Sequence, residues 1–235
     1  MRWILALLCG GALVACNPVA DAAKELNASG APTGEFSGEL LVLWLDDGDQ
    51  NTGSGRFAFV PAPKARLSFT RPVSTGYETA IRPERFYTDG GSVPRLAQVF
   101  RGFNPWAYGP AYAVHDWIFV ANSCRKDGKA TPEEAKHAEM DFDDSQQIML
   151  ETIATLMENG AVTENNFSRS IITLAVGSPI SRSLWEAEDT CDQRRLSFAH
   201  NCRVDRVLDL PLDPDCPSIP KRIEDQDRIV TRVSF

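Results

Sequence analysis

The chain has 235 residues, of which 43% are hydrophobic and 24% charged, with 32 acidic against 24 basic side chains and a formal net charge of −8. Its basic residues form no long stripe, and a net acidic chain repels a phosphate backbone, which excludes nucleic acid as a partner on electrostatic grounds. No internal repeat is present.

The chain opens on Met1-Arg2, an apolar run from Trp3 to Ala15, and then Cys16. A basic start, a short apolar stretch and small residues before a cut are the marks of a secretory signal. The run is shorter than the about 20 apolar residues that span a bilayer. Leu13-Val14-Ala15-Cys16 resembles the bacterial lipobox. That resemblance implies cleavage after Ala15, diacylglycerol on the Cys16 sulfur and an acylated amino group. The alternative is an ordinary signal peptide with a cysteine nearby; Cys9 is the poorer lipidation candidate because Leu8 is not small. Multiple acyl chains exceed the requirement for stable anchoring. Asn17, in place of Asp after the cysteine, favours by analogy with enteric sorting the outer membrane, facing the periplasm.

Residues 1–15 are therefore read as signal peptide, and losing Arg2 takes the net charge from −8 to −9. Residues 16–38 are rich in Ala, Gly, Ser and Pro and read as a lipidated tether spanning roughly 25 Å as a random coil. Residues 39–189 are read as one α+β domain and 190–235 as a Cys/Pro-rich extension, a length sufficient for a real core.

Of the six cysteines, setting aside Cys9 and Cys16 leaves Cys124, Cys191, Cys202 and Cys216. An even number in an oxidising compartment predicts two disulfides, whose pairing the sequence leaves open. Zinc is the alternative, but no pair has the close Cys-x-x-Cys spacing.

A small antiparallel sheet is predicted over residues 39–87. Leu40 to Leu45 is an unbroken apolar run that Asp46-Asp47-Gly48-Asp49 ends with turn chemistry. Arg56 to Val60 and Ala65 to Thr70 follow, then Tyr77 to Ile81 and Arg85 to Tyr87. A core of three to four helices comes next. Pro110 starts a helix over Ala111 to Asn122. Thr131-Pro132-Glu133-Glu134 fits a capping box and starts a second, running to Glu158 and stopping at Asn159-Gly160. A third covers Glu164 to Val176, and a short one Arg182 to Ala187. From Thr190 the Pro and Asp content predicts a disulfide-pinned extension with little regular structure.

The helix over Ala111 to Asn122 is apolar nearly all round, yet His115 and Asp116 sit in its middle. Burying an ionisable pair costs several kcal/mol unless partners satisfy it, so the pair is either a structural network or a working site. Upstream, Asp89-Gly90-Gly91 offers a carboxylate and a tight backbone whose carbonyls suit calcium, or else a plain Asx-turn. On a continuous second helix the apolar stripe is Ala138, Phe142, Met149, Ile153 and Leu156. Asp141 then lies roughly 75° to one side and Gln146 roughly 65° to the other, within reach of the pair; Asp143, Asp144 and His137 fall more than about 110° away and face solvent. His137 and Asp141 have a zinc-compatible spacing, though a solvated pair is the better reading. A Ser92–His115–Asp triad ranks low, because Gly90-Gly91-Ser92-Val93-Pro94 lacks the Gly-x-Ser-x-Gly elbow.

Phe86 to Pro94, with Thr88-Asp89-Gly90-Gly91-Ser92-Val93-Pro94, and then Pro110 to Phe119, with His115-Asp116-Trp117-Ile118-Phe119, resemble the domain of unknown function 1353 family. The likeness spans Tyr77 to Ile153. It departs at the following helix, where Ser145-Gln146 stands in place of Ala-Asp unless Asp141 supplies the acid. The family name carries no activity.

The same layout is similar to the helical core of secreted phospholipase A2, especially the short prokaryotic kind. There a glycine-bearing calcium loop precedes a His-Asp-x-x-Tyr helix; here Phe119 takes the Tyr place, with Asn122 beyond. This resemblance implies His115 as general base, Asp141 as its orienting group, and calcium held by Asp89, Gly90, Gly91 and Asp116. The paired cysteines bracketing the phospholipase helix are absent. Two expectations follow: a calcium-assisted hydrolase of a phospholipid or other ester in the envelope, or a non-enzymatic envelope lipoprotein acting as an interaction or structural module.

Overall fold

The computed structural model describes residues 31–46, 55–72, 79–88, 108–137, 139–162 and 175–235. The architecture is α+β, with two antiparallel sheets. Strands β1 (Glu35–Ser37), β4 (Ser68–Thr70) and β5 (Ala80–Ile81) form the smaller sheet, in the order β1-β4-β5. Strands β2 (Glu39–Asp46), β3 (Gly55–Pro61), β6 (Phe86–Thr88) and β7 (Arg228–Ser234) form the larger, in the order β6-β3-β2-β7.

The unbroken apolar run of β2 has a structural cause. Side chains alternate across a strand. Leu40 and Val42 join the main core with Phe59 of β3 and the helix beneath it, while Leu41, Leu43 and Leu45 join a second cluster with Ala58, Val60, Leu196 and Val204. A sheet covered on both faces has no use for an alternating polar pattern. Register follows: Leu41 stands opposite Val60 and Leu43 opposite Ala58.

The cover on the second face comes from the C-terminal segment, which corrects the expectation of little regular structure there. Helix α6 (Phe198–Val207) packs Val204 against that face, and β7 pairs along β2 as its second neighbour. The folded part also begins earlier than Glu39. β1 lies in the stretch read as tether, pairs with β4 through Phe36 opposite Phe69, and buries Phe36. Gly38 makes the passage from one sheet to the other. It has φ +85°, and a Cβ there would lie 2.2 Å from the Arg66 carbonyl oxygen, so no larger residue fits.

Helix α1 (Gly109–Lys126) is longer than predicted and buried on nearly every side. Pro110 opens it, and Arg125 and Lys126 in the last turn suit its negative end. No helix among the described residues is long and apolar enough to cross a membrane.

The single helix expected from Thr131 to Glu158 is two. α2 (Pro132–Ala135) is capped by the Thr131/Glu134 box, and α3 (Phe142–Glu158) starts at a second box, Asp141/Asp144. A capping residue has extended backbone, and Asp141 has ψ −179°, so the helix cannot run through it. The break resets the helical phase, and His137, expected in solvent, is fully buried. α4 (Pro179–Glu186) replaces the predicted Arg182 to Ala187, followed by α5 (Cys191–Arg194) and α7 (Lys221–Glu224). The helix expected over Glu164 to Val176 lies outside the described residues except for its last two. Two disulfides form, as expected. Cys124–Cys191 ties α1 to α5, and Cys202–Cys216 ties α6 to the loop after it.

Candidate functional site

His115 lies midway along α1 and is 4% exposed. Its Nδ1 is 3.0 Å from Oδ1 of Asp116, whose side chain keeps 30% of its surface open. An ionised carboxylate only accepts, so this contact puts the ring proton on Nδ1 and the lone pair on Nε2. Nε2 is buried and has no hydrogen-bond partner among the described residues. The Phe119 ring, one turn on, lies 5.0 Å from the imidazole. One turn back, the Tyr112 hydroxyl is also buried without a partner among the described residues. Burial first, then the charge on Asp116 and then Tyr108, push its pKa far above the usual tyrosine value, so it stays a neutral phenol.

The pair borders a cleft of about 570 Å³ whose walls are mostly apolar. α1 supplies His115, Asp116, Phe119 and Val120; β6 supplies Phe86, Tyr87 and Thr88; Met149 comes from α3. Ile180 and Leu184 of α4 form one rim, and Thr190, Gln193 and Arg194 the other.

Each rim is fixed to α1. The Trp185 carbonyl accepts from Asn122 Nδ2 at 2.8 Å and from Lys126 Nζ at 2.6 Å, and its ring meets Phe119 edge-on at 5.0 Å. The Asp127 carboxylate accepts the Asp189 amide at 2.8 Å and the Cys191 amide at 2.9 Å, beside the Cys124–Cys191 disulfide. Asp189 has φ 55°, a left-handed conformation that these two anchors hold in place.

The sequence-predicted site residues divide three ways. His115 and Asp116 come together at the cleft. Asp141 does not join them. Its carboxylate accepts the Asp144 amide at 2.8 Å as a helix cap, and it borders a separate depression with Asn122, Arg125 and Trp185. Asn122 is seven residues beyond His115, about 10 Å farther along the helix. Gln146 donates to Asp143 at 3.1 Å and does not line the cleft. Asp89, Gly90, Gly91 and Ser92, like Cys16, lie outside the described residues; Thr88, just before them, is at the cleft.

Calcium takes six to eight oxygen ligands. Among the described residues Asp116 is the one carboxylate at the cleft, and no group of three or more metal-ligating side chains is assembled. The described set does not make a calcium site.

The rim residues Ile180, Leu184, Thr190 and Arg194 were not legible as site residues. The signal for the last two was Cys191, which reports their place only once its partner on α1 is known. Comparison with protein-family models, curated proteins and solved structures finds no match for this chain.

Proposed function

We propose that the chain is an envelope lipoprotein, anchored through Cys16 to the outer membrane, that hydrolyses an ester in the cleft beside His115. The carrying observation is the ionisable His115–Asp116 pair, set in an otherwise apolar helix at the wall of a large apolar cleft. Holding an ionisable pair in an apolar wall costs several kcal/mol unless partners satisfy it, a cost that a working site explains. In the proposed reaction Nε2 of His115 takes a proton from water as the water oxygen attacks the ester carbonyl. The imidazolium, held by Asp116, then returns the proton to the departing alkoxide, leaving acid and alcohol. Asp116 takes the orienting role that the phospholipase likeness assigns to Asp141. The calcium part of the reading rests on the Asp89-Gly90-Gly91 sequence alone, where a bound ion would polarise the carbonyl; calorimetry with calcium tests it separately.

The unlipidated mature chain, assayed with phospholipid and with short soluble esters, is expected to release acid, and His115→Ala to abolish release while keeping its near-UV circular dichroism. Release by His115→Ala at the wild-type rate sinks the reading.

One observation favours the non-enzymatic alternative: Nε2 is sealed from solvent. In that reading the pair is structural and the cleft is an interaction surface. His115→Ala would then lower the melting temperature by several degrees, and the wild type would hydrolyse no ester.

A further inference from the structure

The rim of the cleft carries a feature that ester chemistry alone does not require. Ile180 is 74% and Leu184 45% exposed, one turn apart on α4, and both also line the cleft. Large apolar side chains at the mouth of an apolar cavity extend that cavity to the surface, as a ligand with a long greasy part would need. Trp185 locks α4 against α1 from the opposite side, so the two side chains stand on a fixed support.

Charge is arranged unevenly around the same space. Asp116 lies against the inner wall, whereas Arg194 lines the α5 rim, its guanidinium 5.8 Å from the Phe119 ring centre. Arg182, also on α4, does not line the cleft: its guanidinium lies 3.6 Å from the Asp143 carboxylate and 4.3 Å over the Phe142 ring. A negative head placed inward meets Asp116, and one placed at the rim meets Arg194.

We infer that the cleft binds one aliphatic chain carrying a carboxylate head, a free fatty acid, with the chain between Ile180, Leu184, Phe119 and Met149 and the head at the Arg194 rim. This deepens the proposed hydrolase reading, since such an acid is what cleavage of an acyl ester releases, but binding does not require catalysis.

The test uses the full mature chain carrying Cys16→Ser, so that no anchor of its own competes. Saturated fatty acids of eight to sixteen carbons are titrated below their micelle concentrations by displacement of a fluorescent aliphatic probe. Affinity should rise three- to four-fold per added methylene, the gain that burying one CH₂ gives, until the chain fills the cleft. Ile180→Asp/Leu184→Asp, at two exposed positions, should weaken binding at least ten-fold with an unchanged circular dichroism spectrum. An alkyltrimethylammonium ion of equal length should bind more weakly than the fatty acid. Absence of binding, affinity independent of chain length, an unaffected double variant or preference for the cation would each overturn the inference. Wild-type binding and hydrolysis, measured side by side, separate the two claims: tight fatty-acid binding without hydrolytic activity removes the hydrolase and leaves the lipid site.

Discussion

Arg71 and Glu151 meet in the interior as a two-pronged ion pair. Nε donates to Oε2 at 2.8 Å and Nη2 to Oε1 at 3.0 Å, with each side chain 2% exposed. The pair joins the end of β4 to the middle of α3, the helix that packs against α1. The Asp144 carboxylate lies 4.0 Å from the same guanidinium.

Removing one partner breaks the buried pair and leaves the other charge without its two-pronged counter-ion. Glu151→Ala or Arg71→Ala is therefore expected to cost about 3–5 kcal/mol. Replacing both together, Arg71→Met with Glu151→Leu, should cost less than either single change, because no charge then stays buried. Urea unfolding of the three variants checks this; a double variant worse than both singles would show that the ion pair is itself strongly favourable.

Asp127 gives the fold an acid-sensitive clasp. The Cys191 amide, followed by the Asp189 amide, Lys129 and the Thr190 amide, holds its carboxyl below the ordinary value of 3.8. A carboxyl lowered in the folded state adds stability above its unfolded value, and that contribution disappears as pH falls through the folded value. Asp127→Asn should thus melt below the wild type at pH 7, with the gap closing as pH drops below about 3.8. Equal melting temperatures at pH 7 would mean that the clasp contributes nothing.

Much of the frame was legible because it rests on local rules. The run Leu40 to Leu45, Pro110 at the start of α1, the Thr131 capping box and the even cysteine count each map onto an observed element. The misreadings share a different cause. Asp141-x-x-Asp144 is a capping box with Asp in the Glu position, so the apolar spacing on both sides reads as one helix. β1 and β7 are edge strands of three and seven residues, specified by the neighbours Phe69 and Leu41 far away in sequence. The His115–Asp116 pair was legible because charge in an apolar helix is a local anomaly. The walls of its cleft, drawn from five elements, were not.

The two disulfides close loops of different length, with separations of 67 residues for Cys124–Cys191 and 14 for Cys202–Cys216. In the chain-entropy account the longer loop stabilises by about 1.4 kcal/mol more. Replacing both cysteines of the longer loop by serine should lower the urea midpoint further than the same change in the shorter one, and should also free the Thr190–Arg194 rim. Non-reducing peptide mapping should recover these two linked pairs; any other linkage would undo the assignment of α5 to the cleft.

Asp141 decides between the inherited and the observed version of the site. If it orients His115, as the phospholipase likeness implies, Asp141→Asn should impair hydrolysis as severely as a change at Asp116. The structure instead gives its carboxylate to the Asp144 amide at 2.8 Å, with the Asp144 carboxylate returning to the Asp141 amide at 3.1 Å. Asparagine also caps helices well, whereas alanine loses about 0.5–2 kcal/mol. Asp141→Asn is thus expected to keep stability and any hydrolytic rate, and Asp141→Ala to lose stability alone. Asp116→Asn should lower the rate with the fold intact, because a neutral amide can present its N–H to Nδ1 and shift the ring proton to Nε2, removing the lone pair that would accept the proton from water.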